Sequence, residues 1–241
     1  MSQHTQEAHQ FFIDTLATYR KLVAANYLFH DDLYRDLAAL VGRIAPRPCS
    51  LLELGCGDAS VIAPLLQTLS LSRYCGVDLS EVALELAARN LSGLRCPAAL
   101  YHDEMMAFLT RETETFDLIF TGFALHHLSS TDKERFLGAC RQRLAPGGEL
   151  IIMDVLRHED EALPDYLDSF CRNIAEEWVQ MTPQERQDTI EHVRACDRPG
   201  SLSELRRMAE TAGFSGLQPV RQYTWHHLVS LYTEQTPPAV H

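Results

Sequence analysis

The chain has 241 residues, 46% of them hydrophobic, and a formal net charge of −12 at neutral pH. That length suits one good core with an appendage, and the acidic balance argues against nucleic acid and anionic membrane surfaces, which both select basic faces. Seven cysteines stand at 49, 56, 75, 96, 140, 171 and 196 without C-x-x-C spacing, so no zinc or disulfide framework is expected and a reducing, cytoplasmic setting fits.

No run of about 18 apolar residues occurs, and no basic leader precedes an apolar stretch, so neither a membrane span nor a signal peptide is expected. In chain order, residues 7–44 are predicted helical. Phe11, Phe12, Leu16, Tyr19, Val23 and Tyr27 recur at helical spacing, followed by Leu33, Leu37, Leu40 and Val41. The A-P-R-P run at 45–48 ends this region. Strands and helices then alternate: a strand at 50–54, a helix at 59–70, a strand at 74–78, and a helix at 80–90 opened by Ser80. Strands at 98–101 and 117–121 follow, then a helix at 131–144, a P-G-G turn at 146–148 and a strand at 149–155. This rhythm predicts the α/β class, with a parallel sheet covered on both faces.

Residues 156–200 break the rhythm with helical pieces at 163–179 and 183–195, and carry eleven Asp and Glu against five Arg. A helix at 201–211 stopped by Gly213 and two extended runs, 217–222 and 225–232, close the pattern as an antiparallel pair. The organisation expected is a helical cap over 1–44, an α/β core over 45–155, a helical lid over 156–200, completion of the core over 201–234 and a loose tail over 235–241.

The sequence L-L-E-L-G-C-G-D-A-S at 51–60 joins the first strand to the first helix of the alternating region. Open parallel sheets bind ligands there, outside the carboxyl ends of their strands. Gly55 and Gly57 let a ligand lie against the main chain. Asp78 follows Gly57 by 21 residues, at the end of the second strand, where an acid can accept bonds from both ribose hydroxyls of a nucleoside. A dinucleotide fingerprint needs a third glycine at position 60, which holds Ser60, and Glu53 would repel a pyrophosphate. A cationic nucleoside removes that conflict.

Five motifs in order over residues 50–155 carry a resemblance: E-L-G-C-G-D-A, G-V-D-L-S, Y-H-D-E-M, F-D-L-I-F-T-G-F-A-L-H-H-L and L-A-P-G-G-E-L-I-I-M-D. Together they resemble the class I S-adenosylmethionine-dependent methyltransferases, with Ala59 standing where many members carry another glycine. The resemblance implies a Rossmann-like, seven-stranded, mostly parallel sheet with its last strand antiparallel, plus a helical cap and lid. It implies S-adenosylmethionine as cofactor and S-adenosylhomocysteine as product. Gly55 and Gly57 would pack on the methionine part, Glu53 would lie near the ammonium and sulfonium, and Asp78 would hold the ribose. Asp103 would meet the adenine amino group, and backbone around Thr121 would contact the methionine end. Cys56, Leu79, Glu104 and Met105 stand beside these residues in the same motifs.

Methyl transfer is an in-line displacement, so the protein has to align nucleophile, carbon and sulfur, and a fixed triad is not required. His126 and His127 follow the fourth strand, where a histidine can take a proton or position the acceptor. Adjacent side chains point apart, so at most one of the two is expected in the site. Asp154, Tyr27, His30 and Trp178 are candidates for the substrate side. A metal set of Asp154, His126 and His158 has no supporting spacing, and no metal is expected. For His226 and His227, alternation predicts one inward-facing, structural histidine. The reading is methyl transfer to O or N of a small molecule in a lidded pocket, by a monomer or homodimer. A cofactor-binding module without transfer, or a nicotinamide-dependent oxidoreductase, are the alternatives.

Overall fold

Residues 17–45 and 48–233 are described by the structure, a computed structural model. The expected helix over 7–16, Pro46 and Arg47, and the tail from 234 lie outside the described residues. Strands β1 (Cys49–Leu54), β2 (Leu71–Asp78), β3 (Ala98–His102), β4 (Phe116–Gly122), β5 (Leu144–Val155), β6 (Gly216–Tyr223) and β7 (His226–Tyr232) form one sheet in the order β3-β2-β1-β4-β5-β7-β6. The first five strands are parallel, and β7 runs against both β5 and β6. The sheet is therefore the one the resemblance implied.

Period-two alternation builds two cores from one strand set. On β1, Leu52 and Leu54 face one side, against Phe108, Phe136 and Met208 of helices α5 (Met105–Arg111), α6 (Ser130–Arg143) and α9 (Leu202–Thr211). Cys49 and Leu51 face the other side, against Leu37 and Val41 of α2 (His30–Ile44), Leu66 of α3 (Ala63–Thr68) and Ala87 of α4 (Glu81–Asn90). Each fully buried leucine contributes about 1.5–3 kcal/mol. A third cluster lies outside the sheet. Leu22 of the short helix α1, residues 17–24, and Tyr27 pack on Tyr166, Phe170 and Trp178 around α7 (Leu163–Glu177) and on Val193 of α8 (Pro183–Cys196).

Several expected elements change on folding. The helix expected over 59–70 shrinks to Ala63–Thr68, because Gly57 and Ala59 take left-handed φ of 53° and the chain stays in turns until Ile62. The P-G-G turn does not separate a helix from a strand. It bulges within β5, whose pairing jumps from Phe116–Leu144 to Leu118–Glu149. Helix α5 had no sequence signal, being a single short amphipathic piece. His226 and His227 are both buried, since β7 is an interior strand covered on both faces.

The bulge sets a tight backbone contact. A Cβ at Gly148 would stand 2.9 Å from the Asp117 carbonyl oxygen and 3.1 Å from that of Phe116. Neither carbonyl can swing aside, so Gly148→Ala should lower unfolding free energy by about 1–3 kcal/mol in urea titration.

Candidate active site

Sheet order reverses between β1 and β4, which opens a crevice at the carboxyl ends of these strands. The glycine loop lines it. Gly55, with φ of 76°, and Cys56 donate their N–H groups to the Val77 carbonyl at 2.9 and 3.0 Å, folding the loop onto the end of β2. The Gly57 N–H donates to Asp78 Oδ2 at 2.7 Å and the Ser80 N–H donates to Oδ1 at 2.9 Å. The carboxylate is thus fixed by two backbone donors and keeps further lone pairs for a ligand. Burial raises the Asp78 pKa against these hydrogen bonds. Beside it Leu79 is 69% exposed, an apolar side chain left uncovered at the mouth of the crevice. Cys56 turns downward: a Cβ on Gly76 would meet its Sγ at 3.0 Å, so this residue offers a ligand only its backbone.

Below the loop, Glu53 is 4% exposed and accepts a hydrogen bond from the Tyr74 hydroxyl at 2.5 Å. Burial pushes its carboxyl up to about 8. A neutral acid waits there at pH 7, and a nearby cation would favour its ionised form. Thr121, at the end of β4, has a buried Oγ1 with no hydrogen-bond partner among the described residues. Helix α1 is fastened over the loop by Arg20, whose Nε and Nη2 donate to Asp58 Oδ2 at 3.1 and 2.7 Å.

At the end of β3, Asp103 accepts from the Glu104 N–H at 2.9 Å and is ion-paired with Arg111. The Glu104 carboxylate caps α5 by accepting from the Ala107 N–H at 2.8 Å, and Met105 packs on the core. In this structure those two side chains serve the helix start rather than the crevice.

An aromatic cluster covers the ends of β4 and β7. The His30 ring is fully buried, its Nε2 is 2.9 Å from the Tyr19 hydroxyl, and its Nδ1 has no partner among the described residues. Phe123 lies 4.9 Å from His30 and 6.2 Å from His226, ring to ring. Among the described residues, His226 Nε2 and the buried Tyr166 hydroxyl likewise have no hydrogen-bond partner. Burial lowers His30 and His226 to about 4, so both are neutral bases at pH 7. Three unpaired polar atoms held among aromatic rings are costly unless a ligand completes them.

The turn after β4 is a 3-10 helix, Leu125–His127, seated on Asp154. Asp154 Oδ2 accepts from the N–H groups of Leu125 and His126 at 2.7 and 3.1 Å. Its Oδ1 accepts from the Val155 N–H at 2.7 Å and faces His126 Nδ1 at 2.5 Å. Burial opposes charge on both partners, but their mutual attraction and hydrogen bond prevail, lowering Asp154 and raising His126. Asp154→Asn should cost about 1–3 kcal/mol of stability, read from the urea midpoint, because one buried donor then loses its acceptor.

One sequence expectation is corrected here. The rings of His126 and His127 lie 3.9 Å apart, and both approach Asp197, because a 3-10 turn does not alternate its side chains as a strand does. The trio of Asp154, His126 and His158, which had no supporting spacing, does not form: His158 is exposed beside Trp225. Tyr27 and Trp178 stack on each other at 5.0 Å, and the Tyr27 hydroxyl accepts from the Gln180 N–H at 2.7 Å. These two rings join the N-terminal segment to α7 and α8.

Comparison with known proteins agrees with this geometry. A family profile described as a methyltransferase domain matches residues 52–150. A carboxy-S-adenosyl-L-methionine synthase of Stutzerimonas stutzeri is 25% identical over 197 residues, covering 78% of this chain and 77% of the relative. An uncharacterized methyltransferase of Geobacillus kaustophilus is 29% identical over 138 residues, 55% of this chain and 61% of that one. The solved structure of an O-methyltransferase family protein from Burkholderia thailandensis superposes with a TM-score of 0.67 at 14% identity, covering 98% of this chain and 64% of that chain. The apo S-adenosylmethionine-dependent methyltransferase SibL gives 0.63 at 18% identity, covering 89% and 57%. The chain thus spans less than two thirds of these two solved chains.

Residues 52–150 match a methyltransferase domain, and the relatives and the fold support a class I S-adenosylmethionine-dependent methyltransferase. S-adenosylmethionine is the cofactor of this methyltransferase, and its residues fit that group. The left-handed loop leaves open backbone, Asp78 is held by two backbone donors at the end of β2, and Thr121 Oγ1 has no hydrogen-bond partner among the described residues. Some residues in and around the site escaped sequence reasoning as site candidates. Phe123 lies inside the fourth-strand motif without a signal of its own, and Asp197 ends a distant helix with no motif around it. The run Y-L-F-H at 27–30 does mark His30, but its partner Tyr19 is found only in space.

Proposed function

We propose that the methyltransferase moves the methyl group to an O or N atom of a small, partly apolar acceptor held in the aromatic cluster under α1, α7 and α8. The observation that carries this reading is the set of unpaired polar atoms, His30 Nδ1, His226 Nε2 and Tyr166 Oη, buried among rings beside the end of β4. S-adenosylmethionine supplies an activated sulfonium methyl. Asp78 and the glycine loop fix the nucleoside end, and Glu53 faces positive charge at the other end. His30 and His226, neutral at pH 7, orient a hydroxyl or amine and can take its proton. Tyr19, Phe123 and Phe170 exclude water and hold the acceptor in line. His126, fully engaged with Asp154 through Nδ1, positions the turn that carries Phe123 rather than acting as the base.

The cap, lid and core divisions read from sequence serve this proposal: the 17–29 segment and the 163–196 helices close over the strand ends. The acidic surface favours an uncharged or basic metabolite over RNA or membrane. Among the described residues no helix is long and apolar enough to cross a membrane.

The names of the curated relatives supply a second reading, in which the cofactor itself gains a carboxyl group. Such a product needs a cation near the methyl position. Arg20, the guanidinium bonded to the loop, is ion-paired to Asp58, which favours plain methyl transfer. Incubation with trideuteromethyl S-adenosylmethionine and a bacterial metabolite pool, followed by mass spectrometry, tests both. Label in a new small molecule supports methyl transfer. A carboxylated cofactor with no labelled metabolite overturns it, and His226→Ala should lower label transfer while leaving S-adenosylhomocysteine affinity unchanged.

A further inference from the structure

His126, His127 and Asp197 each offer one ligand atom, and these atoms all lie within 4.8 Å of one another, where the turn after β4 meets the end of α8. His126 Nε2 and His127 Nδ1 stand 3.7 and 3.5 Å from Asp197 Oδ1, beyond hydrogen-bond length. Asp197 is only 4% exposed, and its Oδ1 has no hydrogen-bond partner among the described residues. A buried carboxylate oxygen left so is expensive, and something must complete it.

The tautomer sharpens this. His126 Nδ1 faces Asp154 Oδ1 at 2.5 Å and is the natural place for the ring proton, which leaves Nε2 presenting a lone pair toward Asp197. Lone pairs on nitrogen and carboxylate oxygen then converge on one spot, which a cation resolves. Bonds of about 2.0–2.2 Å in a tetrahedral site put ligand atoms roughly 3.3–3.6 Å apart. The observed separations to Asp197 need only a small contraction. The Asp154–His126 pair is also the outer partner that metal-bound imidazoles use, a carboxylate fixing ring orientation and basicity. His127 keeps 39% of its side chain exposed, which leaves an entry path, and His192 of α8 lies 5.4 Å away ring to ring.

We propose that His126, His127 and Asp197 bind one divalent ion of the zinc class, which ties the turn after β4 to α8 and so fastens the lid to the sheet. Two imidazoles and one carboxylate suit zinc, cobalt or iron(II) over magnesium or calcium, which prefer all-oxygen sets. Nothing in the sequence spacing shows the site, because its carboxylate comes from a helix end 70 residues after His127.

The test reads metal, not activity. The full chain is stripped with chelator and titrated with Zn²⁺, and separately with Co²⁺ followed by visible absorption. The expected result is one equivalent per chain, tetrahedral cobalt bands and a raised melting temperature. His127→Ala and Asp197→Asn should weaken Zn²⁺ binding by more than about 100-fold, and Asp154→Asn by roughly 10–100-fold. His158→Ala, an exposed histidine elsewhere, should change nothing. If Asp197→Asn does not fold, the partly exposed His127 decides alone. Binding that is no weaker in His127→Ala than in the unsubstituted chain, or no stoichiometric binding at all, overturns the proposal.

Discussion

Asp78→Ala should weaken S-adenosylhomocysteine binding by about 10- to 150-fold in calorimetry, the equivalent of about 1.5–3 kcal/mol for hydrogen bonds to a charged group. Two losses combine. A nucleoside loses its carboxylate acceptor, and the Gly57 and Ser80 N–H groups lose theirs, so the glycine loop is no longer tied to β2. Asp78→Asn separates the two. It keeps an acceptor oxygen for one backbone donor but has no charge, and should fall between wild type and Asp78→Ala. Equal affinity in all three proteins would place the nucleoside elsewhere in the crevice.

Glu53→Gln should change both the pH dependence of stability and the proton balance of cofactor binding. Below pH 4.5 the carboxyl is protonated in the folded and unfolded chains alike. Between 4.5 and about 8 the unfolded chain has lost the proton while the buried carboxyl keeps it. Stability contributed by the protonated group is therefore complete below 4.5 and drains away as pH rises through about 8, by a few kcal/mol in all. Glutamine has no proton to lose, so the variant should gain on wild type steadily across that window in urea titrations at fixed pH. A cationic ligand beside Glu53 favours the carboxylate, so wild type should release a proton on binding S-adenosylmethionine at neutral pH. Calorimetry in buffers of different ionisation heat reads that release, and Glu53→Gln should abolish it. Parallel stability curves and equal buffer dependence would mean that Glu53 is already ionised.

Together the two residues divide the cofactor site by chemistry. Asp78, half-buried at the end of β2, offers acceptors oriented by two backbone donors. Glu53 offers a latent charge in a dry position beneath the loop, where Coulomb attraction is strong and costs nothing until a cation arrives.

Local signals in the chain determined the cofactor half of the molecule. The strand at 50–54, the loop of Gly55 and Gly57, Asp78 at the next strand end and the final antiparallel pair were all legible, because each depends on residues close in sequence: alternation, turn chemistry and strand-end spacing. The motif order then implied the sheet topology. Local signals failed where a second, distant segment decides. Ala59 reads as helix but sits in a left-handed turn, because the glycine loop must close on Val77. Tyr27 and Trp178 read as pocket walls but are consumed by each other across some 150 residues. Asp154 reads as a substrate contact but is filled by donors from the turn at 125–127. Tyr19 with His30, Phe123 with His226, and Asp197 with both histidines of the H-H pair are tertiary facts. A buried polar atom's partner is set by how segments pack, and one chain's periodicity carries no record of it.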